Sequence, residues 1–292
     1  MTRAIVNAEH LGKSFSTKTA LVDVSATAEP GDVIGVLGKN GAGKTTLLEV
    51  LLGFSPPTSG TAELFGQPSV ELAESTKARV GFVPQQDELI DVMTGKHQLA
   101  VTAAFYSRWD YSLIDRLAAE WEVPLDRRIG TLSVGERQKL SLLLALGHHP
   151  ELLVLDEPVA SLDPIARRRF VTEIIAASPA VHRTVLFSSH IVSDLERAAN
   201  KVWILKDGRL AWCGELDALK ESVVRLHISG RRPLPASLDV PHAISSRVEG
   251  KRATVAATHW NEGQATSLAQ RLDADLEVEN LGLEEIFVEL HK

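Results

Sequence analysis

From position 38 to 45 the chain reads Gly-Lys-Asn-Gly-Ala-Gly-Lys-Thr, a glycine-rich run ending on an ammonium and a hydroxyl. Phosphates carry dense negative charge, which must be met by small donors at close range. Glycines let successive backbone N–H groups curl around a β- and γ-phosphate, and a helix opening at Lys44 adds roughly half a positive charge at its N-terminus. Lys44 supplies a mobile cation, and the Thr45 hydroxyl is suited to Mg²⁺. The nucleotide-contacting set is therefore Gly38, Lys39, Asn40, Gly41, Ala42, Gly43, Lys44, Thr45 and Thr46. A plain glycine-rich turn is the competing reading, but every fixed position of the phosphate loop is matched. Further along, Leu152-Leu153-Val154-Leu155 runs into Asp156 and Glu157. An acid ending a buried strand can hold Mg²⁺ through its water shell. The carboxylate beside it can orient or deprotonate an attacking water, typically worth about 10²–10⁴-fold in rate. Capping of the turn forced by Pro158 is the blander alternative.

The flanking elements suit these positions. Val33 to Leu37 reads as an apolar strand ahead of the loop, and Lys44 to Leu52 as the helix behind it, stopped by Gly53 and Pro56-Pro57. Strand patterns also cover Ile5 to His10, Leu21 to Glu29, Gly60 to Phe65, Arg79 to Pro84, Thr184 to Ser188 and Val202 to Leu205. Helical spacing runs from Gly95 to about Trp121, Gly135 to Leu146, Pro164 to Ala176 and Ile191 to Ala199. Strands alternating with helices predict a doubly wound, mostly parallel α/β sheet. After about Leu219 prolines multiply. Strands at Val223–Ile228, Ile244–Val248, Ala253–Ala257 and Leu276–Glu279, with helices at Glu262–Leu272 and the C-terminus, predict a small α+β domain.

With 292 residues, 44% hydrophobic and 24% charged, the chain has the composition of an ordinary globular protein with room for a main domain and a smaller one. A net charge of −7 argues against a sequence-independent grip on nucleic acid. Arg167-Arg168-Arg169, the one basic run, reads as a solvated helix face. A single cysteine, Cys213, excludes an intrachain disulfide and fits a reducing compartment. No signal-peptide pattern and no run of about eighteen apolar residues is present, so a membrane role requires another protein. His148-His149 sit at a helix end pointing in different directions, the pattern of a solvated loop rather than a metal pair.

Between loop and acids lies Leu132-Ser133-Val134-Gly135-Glu136-Arg137-Gln138, followed by the apolar helix. Here the chain resembles the nucleotide-binding subunits of ATP-binding-cassette (ABC) transporters, over about residues 2–219, with 220–292 as an accessory domain. The resemblance implies a P-loop NTPase with a mostly parallel sheet, an antiparallel β subdomain and a helical subdomain. It also implies ATP and Mg²⁺ as cofactors, and a head-to-tail dimer with a second copy or a similar cassette, in which Ser133, Gly135 and Glu136 of one cassette close over the ATP held by the other. Val134 and Glu136 depart from the usual Leu-Ser-Gly-Gly-Gln, adding a Cβ and a negative charge near the phosphate; Ser133 and Gly135 are intact, so a working site is expected, with dimer affinity or turnover open to change. By position, Gln85 matches the glutamine that touches Mg²⁺ and senses the membrane partner, with Gln86 an adjacent alternative. Asp163 matches the loop packing on the opposing protomer, and His190 the histidine that contacts the γ-phosphate and steadies Glu157. Phe15 sits where an aromatic ring stacks on adenine, with core burial the competing reading.

The expected function is that of an ATPase subunit driving a separate membrane permease, with a lean to export. It would sit on the cytoplasmic face of the cell membrane, its coupling surface within Asp87 to Tyr106. A soluble ABC ATPase acting on ribosomes or DNA is the alternative, disfavoured by the single cassette, the acidity and the lack of a coiled-coil insertion. A silent nucleotide sensor is disfavoured by the presence of both Glu157 and His190.

Overall fold

A six-stranded sheet carries the loop and the two acids. In this computed structural model, which describes residues 4–158, 183–260 and 262–292, contacts group the chain into Met1–Cys213 and Gly214–Lys292. The expected helix Pro164 to Ala176, the basic run and Asp163 lie outside the described residues.

In the first unit the strands are β1 (Val6–Phe15), β2 (Lys18–Ala28), β3 (Val33–Gly38), β4 (Ser59–Leu64), β5 (Gln67–Pro68), β6 (Val80–Val83), β7 (Leu152–Leu155), β8 (Thr184–Ser189), β9 (Lys201–Lys206) and β10 (Arg209–Glu215). The large sheet has the order β10-β9-β3-β8-β7-β6, and β9-β3-β8-β7-β6 pair in parallel. Parallel strands buried on both faces read as unbroken apolar runs, and β7 is buried at all four positions. The second sheet, β2-β1-β4-β5, is antiparallel, pairing Val6 with both Ala28 and Leu64. Between them lies the helix Lys44–Leu51, whose Leu47, Leu48, Val50 and Leu51 join one core with Val6, Leu64, Ile34 and Val154. Each fully buried leucine of that kind contributes about 1.5–3 kcal/mol relative to exposure, which anchors the helix and the loop it terminates.

The helical run expected from Gly95 to Trp121 is two helices, Gly95–Ala103 and Tyr111–Glu120. Asp110 breaks the run: it is extended, and its carboxylate accepts from Leu113 N at 2.9 Å to start the second helix. Helix Val134–Leu146 packs against both and begins one residue earlier than expected. β10 was not anticipated, because Arg209–Glu215 alternates only between exposed and half-buried positions.

In the second unit a sheet of order β12-β13-β11-β14 is antiparallel throughout, formed by β11 (Val223–Gly230), β12 (Ala243–Glu249), β13 (Arg252–Thr258) and β14 (Ala274–Asn280). Val224, Leu226 and Ile228 of β11 form a core with Leu268 and Leu272 of helix Glu262–Leu272. From the alternate positions of β11, Arg225 reaches Glu279, Glu285 and Glu289 at 3.0, 2.9 and 3.1 Å, tying helix Leu283–Leu290 to the sheet.

Candidate functional site

β3 delivers the chain to Gly38, and the loop curls through left-handed glycines at Gly41 (φ 81°) and Gly43 (φ 107°). A Cβ on Gly43 would lie 2.6 Å from the Ala20 carbonyl oxygen, so only glycine fits there. One on Gly41 would meet nothing within 4 Å, which marks the open side of the cradle. No side chain caps the helix Lys44–Leu51 and no acid occupies its first turn, so its N-terminal dipole is available to an external anion. Thr45 and Thr46 are half-buried in that first turn. Lys44 is buried and bends back, its Nζ donating to the Gly38 carbonyl at 2.9 Å and lying 3.1 Å from Glu157 Oε1.

β7 ends in Asp156 and Glu157, both buried. Asp156 N donates to Val83 O at 2.9 Å, registering the first acid on the neighbouring strand. Glu157 adopts a left-handed backbone, φ 48°, at a cost of roughly 1–2 kcal/mol for an L-residue. Three contacts hold it: Lys44, a 2.8 Å hydrogen bond from its own N–H to Ser188 Oγ, and His190. His190 Nδ1 lies 2.8 Å from Glu157 Oε2. An ionised carboxylate only accepts, so Nδ1 carries the proton and Nε2 remains for another partner. His190 is exposed while Glu157 is not, placing the pair at the mouth of the site. A cation, a carboxylate and an imidazole thus converge beside the loop, as proton transfer from a water requires.

Helix Val134–Leu146 opens with a capping box: Ser133 Oγ accepts from Glu136 N at 3.3 Å, and Glu136 Oε2 accepts from Ser133 N at 2.6 Å. The bond from the Ser133 backbone N–H, foremost, and the nearby Arg127 charge hold the Glu136 carboxyl below its usual range. Arg127 lies 3.4 Å from its other oxygen. The pattern Ser-x-x-Glu could have shown the box from sequence. Val134 is 56% exposed, so its added Cβ lies on the surface. No hydrogen bond or ion pair among the described residues joins Ser133, Gly135 or Glu136 to the phosphate loop.

Gln85 and Gln86 are exposed beyond β6. Two residues on, Asp87 accepts from Arg137 Nε at 2.9 Å and Nη2 at 2.5 Å, and Asp91 from Nη1 at 2.6 Å. This fork fastens the segment after Gln85 to the helix of Ser133, and nothing in the spacing announces it. Phe15 is 46% exposed at the end of β1, with Lys13 Nζ 4.7 Å from its ring centroid, so core burial is ruled out for it. His148 and His149 are not a solvated loop. His148 is buried, its ring stacked on Tyr106 at 4.1 Å and its Nε2 3.1 Å from Val80 O, while His149 Nε2 lies 2.8 Å from Asp110. The residue that sequence reasoning missed altogether is Ser188, whose hydroxyl touches both acids.

The ABC transporter family profile matches residues 21–160. Among curated proteins, the Nod factor export ATP-binding protein I of Burkholderia lata is 34% identical over 229 residues, 77% of this chain and 75% of that protein. Among solved structures, an ATP-binding subunit of an ABC transporter superposes with a TM-score of 0.67 at 24% identity, over 74% of this chain and 92% of that one. A dimeric ATP-binding cassette in a post-hydrolysis state, bound to ADP and Pi, gives 0.64 at 20% identity, over 72% and 98%. Both structural likenesses show the fold.

Proposed function

This chain belongs to the ATP-binding subunits of ABC transporters and is an ATPase, and on that premise we propose that two copies close head-to-tail on two Mg-ATP to drive a separate membrane permease outward. The observation that carries the reading is the convergence of Lys44, Glu157 and His190 beside an uncapped helix N-terminus. The cradle fits a triphosphate: the glycines leave its floor to backbone N–H groups, and the Lys44 ammonium sits 3.1 Å from the acid it now pairs with. A γ-phosphate and Glu157 compete for the same ammonium, so nucleotide binding unmasks the carboxylate. Glu157 would then accept the proton of the water attacking the γ-phosphorus as the bond from that phosphorus to the β–γ bridging oxygen breaks and its electron pair leaves with ADP, while His190 holds Glu157 in line.

The Thr45 hydroxyl, the Asp156 carboxylate and Gln85 are the oxygen donors that would hold Mg²⁺, a hard cation suited to few protein ligands. When bound, it neutralises charge developing on the phosphates. Across the dimer, Ser133 and Gly135 would aim a hydroxyl and a helix N-terminus at the partner's γ-phosphate, and the exposed Phe15 ring would stack on adenine.

Support for a membrane partner comes from the segment after Gln85. Ile90, Val92, Val101 and Phe105 are 44%, 80%, 46% and 83% exposed, an apolar display suited to a protein partner. Among the described residues no helix is long and apolar enough to cross a membrane, so the permease is a separate chain in this scheme. The name of the 34% identical relative supports the export direction. Glu157→Gln should reduce steady-state hydrolysis at least about 10²-fold while ATP now traps a dimer, read by light scattering. Undiminished turnover would reject Glu157 as the base. Affinity purification from membranes should recover a multi-helix protein; recovery with ribosomes or DNA alone would reject the permease.

A further inference from the structure

Ser188 is wholly buried on β8, directly across from Val36 of β3, two residues before the phosphate loop begins. Its neighbours along the strand are Val185, Leu186 and Phe187, so a valine would fill the position without desolvating a hydroxyl. The hydroxyl makes two short contacts, both to the acids: it donates to Asp156 Oδ1 at 2.5 Å and accepts from Glu157 N at 2.8 Å. Ser189, pointing to the other face, has a different task. Its Oγ accepts from Ile191 N at 2.9 Å, shaping the turn that presents His190.

We infer that Ser188 is a positioning residue of the hydrolytic site, one hydroxyl that sets the metal-holding and the proton-accepting carboxylate together. The inference rests on the roles proposed above for Asp156 and Glu157. A hydroxyl has one proton and lone pairs to spare, and here each is used on a different acid. Donation to Oδ1 fixes the rotation of the Asp156 carboxylate, the group that would serve Mg²⁺. Acceptance from Glu157 N pins a backbone at φ 48°, which sends that side chain to Lys44 and His190. The two acids are adjacent in sequence but face different work, and a link through a third residue keeps their separation constant.

Ser188→Ala removes both bonds with almost no change of volume. Three quantities test the role: kcat and KM for ATP, and the gain in fluorescent-nucleotide affinity on adding Mg²⁺. Loss of a group supporting metal-site residues typically costs 10–100-fold, so kcat should fall by about that factor and the Mg²⁺ gain should shrink about tenfold. Nucleotide affinity without Mg²⁺ should stay within about twofold, because the loop is untouched. Ser188→Thr, which keeps the hydroxyl on the same carbon, should recover kcat and the Mg²⁺ gain to within about threefold. If Ser188→Ala does not fold, Ser188→Cys is measured in its place, with the same losses expected because a thiol is a weak donor. The inference is overturned if the alanine variant keeps kcat and the Mg²⁺ gain within about twofold, or if threonine is as impaired as alanine. Glu157→Gln, run alongside, separates the two levels. Continued turnover in that variant rejects Glu157 as the base, the reading on which this inference rests, whereas an inert Glu157→Gln beside a fully active Ser188→Ala rejects only the role of Ser188.

Discussion

The carboxylate at position 136 is folded back onto the backbone of Ser133 and faced by Arg127. Its charge, which by sequence would lie near the partner's phosphate, is therefore partly compensated within its own helix turn. Glutamine at that position keeps the capping box, since either side chain can reach the N-cap backbone. Glu136→Gln should thus unfold within a few tenths of a kcal/mol of the natural chain. It should tighten ATP-dependent dimerisation about fivefold, the size of one partly screened charge interaction near 1 kcal/mol. Light scattering over a concentration series, in the Glu157→Gln background, reads this directly. Equal or weaker association would mean that the charge never approaches the partner's nucleotide. Ser133→Ala should behave differently, losing about 1 kcal/mol of helix stability through the missing cap and hydrolysis through the missing donor.

Elements with an uninterrupted pattern were legible: β7 begins and ends at Leu152 and Leu155 as expected, and the helix Glu262–Leu272 lies where its periodicity places it. Those signals are local, and locality is also their limit. In the break before Asp110, Tyr106 and Trp109 face His148, with ring centroids 4.1 and 6.5 Å away, a contact that spacing cannot reveal. Ser188 is silent for the same reason, since a serine in a strand acquires its role only from the strand beside it. Burial pushes the His148 imidazole down to about 4, and its Nδ1 has no hydrogen-bond partner among the described residues. Because the folded value lies below the ordinary 6.5, the unfolded chain binds the extra proton first as pH drops. Stability is unaffected by this group above about pH 6.5 and is lost as pH falls toward 4, by about 2 kcal/mol at pH 5. Denaturant unfolding at about pH 7.5 and 5 should show that difference, and His148→Phe should remove it while keeping the ring stack. A pH dependence unchanged by the substitution would assign it to other groups.

At the scale of the whole chain, Gly214–Lys292 has its own sheet and its own apolar core, and we propose that it serves dimer contact or regulation. Deleting the residues after Leu219 should leave ATP binding intact while changing ATP-dependent association or the hydrolysis rate about tenfold, within the usual range of a coupling between sites. Association and ATPase rates both equal to those of the full chain would refute the assignment. The stretch after Gln85 carries a different consequence. Val92 and Phe105 leave about four fifths of their surface to water. If the proposed permease covers them, a cassette overproduced by itself should be poorly soluble, precipitating as concentration rises, and co-expression with that permease should rescue its yield.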